Sequence, residues 1–312
     1  MLIEKIALRQ DFKRELYFFN SARNAFKTYL RSLCLSENDT ILLPAYIGWS
    51  SREGSGIFDP IEELGLKYMF YEVDSNLNLD LAKTITVIEG NDIKIILIVH
   101  YFGFPDPNTE EIAKYAHARN IVVIEDEAHA FFSDIANGIS GRSGNASFFS
   151  LHKLFPVKYG GALVLNDKDS LIDFDVIKND TISDTEISPW NFDLKRISEI
   201  RIRNADLIYS RLKDYTEYFE FIKPFQKGVC PQTLPILVKQ KGLRDKLYYK
   251  LNELGFGVVS LYHTLIDPID ENKFPVSFFI SQRILNLPVH QDIDILEMNS
   301  LLDALIKYVE EN

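Results

Sequence analysis

From Thr40 onward, short β-rich runs at Ile41–Leu43, Lys67–Glu72, Ile95–His100 and Ile121–Glu125 alternate with stretches of helical period such as Ser51–Leu64 and Thr109–Arg119. Strand, helix, strand in repetition has few compact solutions. Strands buried on both faces need helices above and below them, so the pattern predicts an α/β fold: a mostly parallel sheet wrapped by helices. Phe148–Leu151 and Ala162–Leu165 read as two further strands. Ahead of the series, Ala22, Ala25, Phe26, Tyr29, Leu30 and Leu33 recur at helical spacing, which predicts a helix over Ser21–Leu33 capped by Ser21.

The pattern changes after Leu165. Asp167–Ser188 is polar and without a period, and Asp193–Tyr215 reads as one long helix rich in Arg, Lys and Glu. A strand at Pro235–Val238, a helix at Leu243–Leu254, a strand at Val258–Tyr262 and a closing helix at Ile293–Glu310 follow. The 312 residues thus divide into a large domain, 1–192, and the long linking helix with a smaller C-terminal α+β domain, 193–312.

Composition narrows the function. A net charge of −11 with no basic block disfavours a nucleic-acid partner, and an anionic substrate would need local positive groups to offset the field. The longest apolar runs, such as Ile93–Val99, have the length of a strand and are too short to cross a bilayer. Met1–Lys5 has no signal-peptide core. Cys34 and Cys230 are too few and too far apart for a disulfide scaffold or zinc site, and no metal is expected. These features predict a cytoplasmic protein with a sizeable core.

Two apolar runs deliver the chemistry. Val122–Ile124 leads into Glu125-Asp126-Glu127-Ala128-His129-Ala130, and the second run delivers Ser150 and Lys153 ahead of Gly160-Gly161. Taken singly, an aspartate after a strand is a turn residue and a lysine is solvated. Together they are the parts a pyridoxal 5'-phosphate (PLP) enzyme needs: an acid to hold the proton on the pyridine nitrogen and an amine to carry the cofactor. Asp126 and Lys153 are accordingly the candidate catalytic residues. The helix start at Ser21, Ala22 and Arg23 is a candidate phosphate site, since its free N–H groups and dipole favour an anion; Arg23 either adds a charge there or is solvated.

Seven segments, in order, carry a resemblance: Asn20–Ala25, Ile41–Tyr46, Phe70–Asp80, Val99–Gly103, Ile124–Ala130, Phe149–Lys153 through Gly160–Ala162, and Leu287–His290. Nearly end to end, the chain resembles the DegT/DnrJ/StrS-type aminotransferases. The resemblance implies the type I PLP-dependent transferase fold. It also implies a keto sugar substrate, usually nucleotide-linked, an amino donor such as glutamate, and a homodimer. It places His129 near the ring's phenolic oxygen and makes Ser150 a phosphate ligand. Trp49, preferred over Tyr46, becomes the aromatic on the outer face of the ring, and His263 and His290 lie near the substrate mouth. The interval to Gly160-Gly161 favours Lys153 over Lys158 as the cofactor lysine. Some relatives are dehydratases with a histidine in the lysine's place; His152 is adjacent, but the lysine is present, which favours amino transfer. The alternatives are a PLP-dependent sugar dehydratase or other lyase, and a non-catalytic relative that binds PLP or a sugar.

This chain departs from the family in two places. Ser150 stands three residues before Lys153, closer than is usual. The segment before the long helix is compressed, and Trp190-Asn191-Phe192 is all that echoes a loop which in relatives reaches the partner's site. Lys195 and Arg196 on the long helix read as solvated charge.

Overall fold

A computed structural model describes residues 15–166, 172–183, 188–224 and 226–311; Met1–Lys5, read above for targeting, lies outside the described residues. The elements run β1 (Leu16–Phe19), α1 (Ala22–Ser32), β2 (Thr40–Pro44), α2 (Phe58–Glu63), β3 (Lys67–Tyr71), α3 (Leu81–Gly90), β4 (Ile93–Val99), α4 (Thr109–His117), β5 (Val122–Asp126), α5 (Phe131–Asn137), β6 (Ala146–Ser150) and β7 (Gly161–Leu165). Then follow α6 (Phe174–Asp180), α7 (Leu194–Leu212), β8 (Phe219–Phe221), β9 (Thr233–Val238), α8 (Leu243–Glu253), α9 (Pro275–Ser281), β10 (Ile284–Pro288) and α10 (Ile295–Glu311).

The first seven strands form one sheet in the order β1-β7-β6-β5-β4-β2-β3. β2 pairs in parallel with β3 and β4, β4 with β5, and β5 with β6, while β7 is antiparallel to both neighbours. The sequence of β4, IKIILIV, is buried at every position but Lys94. Such a continuous apolar run suits a central parallel strand covered on both faces. β2, β4, β5 and β6 all run the same way, so Pro44, Val99, Asp126 and Ser150 end at one edge of the sheet, where α/β proteins bind ligands.

β8, β9 and β10 make a separate antiparallel sheet, ordered β10-β9-β8. The long helix α7 packs against α5 and α10, and its buried face carries Leu194, Ser198, Arg201, Ala205, Ile208 and Leu212 at helical spacing. The wholly buried Arg201 donates from Nε to Gln291 Oε1 at 2.8 Å and from Nη1 to the Gln232 carbonyl at 3.2 Å, and lies over the ring of Phe132. Phe131, Phe132, Phe149, Leu151, Leu154 and Phe155 form a second apolar cluster beneath the Leu151–Leu154 turn. Among the described residues no helix is long and apolar enough to cross a membrane.

The expected elements differ from the observed ones in places. The helix predicted over Ser51–Leu64 contracts to α2, because Ser50 and Gly54 exchange backbone hydrogen bonds and close a turn, with Gly54 at φ +66°. Val258–Tyr262 is not a strand; a lone bridge joins Val259 to Asn286, and Tyr262 turns away at φ +60°. β1 and α3 carry no expectation from the sequence. β1 has four residues, too few to show a period, and forms by pairing Phe19 with Gly161 and Leu16 with Val164.

Candidate active site

The segment after β5 sets the site. Asp126, the last residue of β5, is 5% exposed, and its Oδ1 accepts the N–H of Ala128 at 2.8 Å, leaving Oδ2 without a partner among the described residues. Burial raises its pKa to about 6, against the opposing effects of the Ala128 N–H, Lys153 and His100. A carboxylate held at this cost is stabilised by a cation beside it.

His129 is bound at both ring nitrogens. Nδ1 accepts the backbone N–H of Phe102 at 3.2 Å, and Nε2 lies 2.8 Å from Lys153 Nζ. Burial, with Lys153 next, lowers the imidazole's pKa well below its ordinary value, so the ring is neutral. With Nδ1 accepting, its single proton is on Nε2 and points at Nζ. Nζ must then accept, which requires a neutral amine. Lys153 keeps an exposed face, yet the surrounding protein lowers its pKa, with Asp126 and Glu53 pulling the other way. The hydrogen-bond geometry calls for the uncharged, nucleophilic form, and the direction of the shift favours it.

The donor to His129 sits in a strained turn. Phe102 has φ 61° and ψ 15°, a left-handed conformation that costs a bulky residue roughly 1–2 kcal/mol. Its ring stacks on His129 at 5.9 Å, 18° from parallel. The turn is held from outside: Gln232 N–H donates to the Phe102 carbonyl at 2.8 Å, and Ser133 Oγ to the Gly103 carbonyl at 2.6 Å. Gly103, at φ +93°, admits no side chain, since a Cβ would stand 2.8 Å from the His129 carbonyl oxygen.

The second apolar run brings Lys153 to the same edge. Ser150 ends β6 opposite Gly161, Leu151 N–H donates to the Gly160 carbonyl at 2.6 Å, and Gly160 N–H donates to the Asn20 carbonyl at 3.1 Å. The glycine pair allows this approach. A Cβ on Gly161 would collide with the carbonyl of Ser21, and one on Gly160 would stand 2.6 Å from the His152 nitrogen. The lysine turn therefore lies against the start of α1. There Ser21 caps the helix, its Oγ accepting from Asn24 N–H at 3.2 Å and donating to Asn24 Oδ1 at 2.6 Å. No acidic residue stands in the first turn, which leaves the N–H groups there open to an anion.

Other predicted residues are placed differently. Arg23 pairs with Asp59 at 3.0 Å and donates to the Glu53 carbonyl, which turns its charge towards the first turn of α2 and the loop before it. Trp49 is 46% exposed, whereas Tyr46 is wholly buried, with its hydroxyl unpartnered among the described residues. His263 is exposed and lies 2.5 Å from the Ser260 carbonyl through Nδ1. His290 lines a groove of about 550 Å³ with His152, Lys153, Phe192 and Arg196. Ser150 is buried, its Oγ 3.4 Å from His152 Nδ1. Lys158 lies over the ring of Tyr159 at 4.7 Å. Phe192 stacks on Phe155 at 4.9 Å and Trp190 meets Phe131 at 6.5 Å, so the compressed segment packs on its own chain.

Behind Asp126 lies a buried group that sequence reasoning did not single out: His100, Glu125 and Glu127. Glu125 is saturated, accepting from Gly141, Ser143 and Gly144 N–H groups and from His100 Nε2 at 2.6–2.9 Å. The carboxylates raise the pKa of His100 to about 9 against burial. A second ring proton would nonetheless face the Asp106 N–H, which donates to Nδ1 at 3.0 Å, so the ring carries one proton, on Nε2. Burial pushes the Glu127 carboxyl well above its ordinary range, with His100 opposing.

A buried acid at a strand end, a neutral lysine amine and an open helix start beside it fit the ring nitrogen, aldehyde and phosphate of PLP. Fold and site together define a type I PLP enzyme. The DegT/DnrJ/EryC1/StrS aminotransferase family profile matches residues 14–189, and the chain belongs to that family of PLP-dependent aminotransferases. It is 30% identical over 265 residues to a dTDP-4-amino-4,6-dideoxy-D-glucose transaminase of Shigella dysenteriae, covering 75% of this chain and 72% of that one. Its fold matches that of Helicobacter pylori PseC, an aminotransferase involved in the biosynthesis of pseudoaminic acid, with a TM-score of 0.80 at 20% identity, covering 98% and 90% of the chains. A shorter match, 30% over 139 residues, is to a GDP-4-keto-6-deoxy-D-mannose 3-dehydratase of Escherichia coli and covers 43% of this chain and 34% of that one.

Proposed function

We propose that this enzyme moves an amino group from an amino-acid donor such as glutamate to a keto sugar carried on a nucleotide. The observation that carries the reading is Lys153 Nζ at 2.8 Å from His129 Nε2, a neutral amine at the edge where Asp126 ends its strand. PLP supplies an electron sink when bound. Asp126 would keep the ring nitrogen protonated, the start of α1 and Ser150 would hold the phosphate, and His129 would stand near the phenolic oxygen. Lys153 Nζ would hold the cofactor and would take the proton leaving the donor's α-carbon and return it. The chain's relatives act on dTDP-, UDP- and GDP-linked sugars, which supports a nucleotide-linked acceptor.

The test is a half-reaction. Glutamate added to the holoenzyme bleaches its visible band and yields the keto acid, and a nucleotide-linked keto sugar restores the band. A band that no amino donor alters, with loss of a hydroxyl from the sugar, would establish the dehydratase instead.

The reading includes a cytoplasmic homodimer of chains divided at 192/193. The unbridged thiols of Cys34 and Cys230 support a reducing compartment. Closed two-fold dimers are the commonest oligomers, which supports a homodimer. Light scattering at micromolar concentration should give twice the chain mass; a monomer with full PLP occupancy overturns the dimer.

A further inference from the structure

The aromatic that reaches the candidate site comes from the other end of the chain. We propose that Tyr262, carried by the C-terminal half, is the aromatic cover of the cofactor ring, in the space that Gly48 keeps open. A Cβ on Gly48 would collide with Cδ1 of Tyr262, so the phenol ring lies directly on the Gly48 backbone. The ring centroid is 6.2 Å from that of His129 and 5.8 Å from that of Phe102. Tyr46 and Tyr101 support it at 5.5 and 5.7 Å. Burial, and after it Asp126, hold the phenol's proton on. A flat ring held between Asp126 and Lys153 would lie beside His129, whose ring Tyr262 approaches at a 57° tilt. Trp49, in contrast, is nearly half exposed.

The placement of Tyr262 is built in. Its backbone is left-handed at φ +60°, as is that of Phe102, and these two strained aromatic residues meet at the site. The flanking segment is fastened to both halves. Leu261 N–H donates to Asn286 Oδ1 at 3.0 Å and Arg244 Nη1 to Ser260 Oγ at 2.6 Å. From the large sheet's side, Trp49 N–H donates to the Thr264 carbonyl and Ile266 N–H to the Ile47 carbonyl, each at 3.0 Å. Strain that persists under such bonding marks a position the fold holds against local preference.

The inference rests on the PLP aminotransferase reading but not on the identity of the sugar, because its test measures the cofactor alone. PLP is titrated into wild type, Tyr262→Phe, Tyr262→Ala, Gly48→Ala and Trp49→Ala, reading its affinity, the position of its visible band and the melting temperature. Tyr262→Phe keeps the ring and should match wild type in band and affinity. Tyr262→Ala and Gly48→Ala should each weaken PLP about tenfold, the scale of a lost aromatic contact together with its buried area, and shift the band. Trp49→Ala should change neither. Should Tyr262→Ala not fold, Tyr262→Leu fills the volume without a π face and should show the same band shift. Wild-type affinity and band in the Tyr262 variants, with both altered in Trp49→Ala, would assign the cover to Trp49 and overturn the proposal. A nucleotide sugar that proves not to be the acceptor would leave these measurements unchanged.

Discussion

Lys153→Ala should leave a folded protein that holds no cofactor covalently and catalyses no transamination. Lys153 has an exposed face and its Nζ meets His129 Nε2, so truncation removes little packing while removing the proposed attachment point and base. The loss in turnover should be at least about ten-thousandfold, the upper range for a positioned acid–base group, because the proposal gives one residue both roles. Borohydride reduction of wild-type holoenzyme followed by peptide mapping should label Lys153. Label on Lys158, which lies over the ring of Tyr159, would move the site by a turn and refute the assignment.

Asp126→Asn should lower turnover by at least about a hundredfold, comparable to deleting a preorganised electrostatic group. The same substitution should stabilise the apoprotein. The folded pKa of Asp126, about 6, lies above the ordinary 3.8, so the buried group binds its proton more tightly folded than unfolded. Its contribution is therefore fully present below about pH 4 and lost as pH rises through 6. Above that, an ionised Asp126 costs the apoprotein on the order of 3 kcal/mol, a penalty that an amide lacks and a bound pyridinium offsets. Apo melting curves should coincide near pH 4 and separate by pH 8, with the asparagine variant the more stable. Near-normal turnover of Asp126→Asn would reduce Asp126 to a strand-end carboxylate.

The legibility of the site follows from where its information lies. Asp126 and His129 follow an apolar strand directly, and Lys153 precedes Gly160-Gly161 by a countable interval, so their order and neighbourhood are local properties. The parallel sheet is legible for the same reason: β2, β3, β4 and β5 each announce themselves within a few residues. The Ser51–Leu64 pattern misleads because helical spacing of apolar residues does not exclude a turn at Ser50–Gly54. The strand expected at Val258–Tyr262 dissolves because its β-rich composition finds a partner only at Asn286.

From its sequence alone, this chain is determined to be an α/β protein with an acid, a histidine and a lysine set out in the order a PLP enzyme requires. Periodicity and short spacings encode that much, since each is fixed by neighbours in the chain. The tertiary structure alone decides that Arg23 turns to Asp59, that Trp49 faces solvent, that Phe102 fixes the proton of His129, and that Tyr262 stands over Gly48. Each of these depends on contacts between segments tens to hundreds of residues apart, where packing and hydrogen-bond satisfaction override local preference.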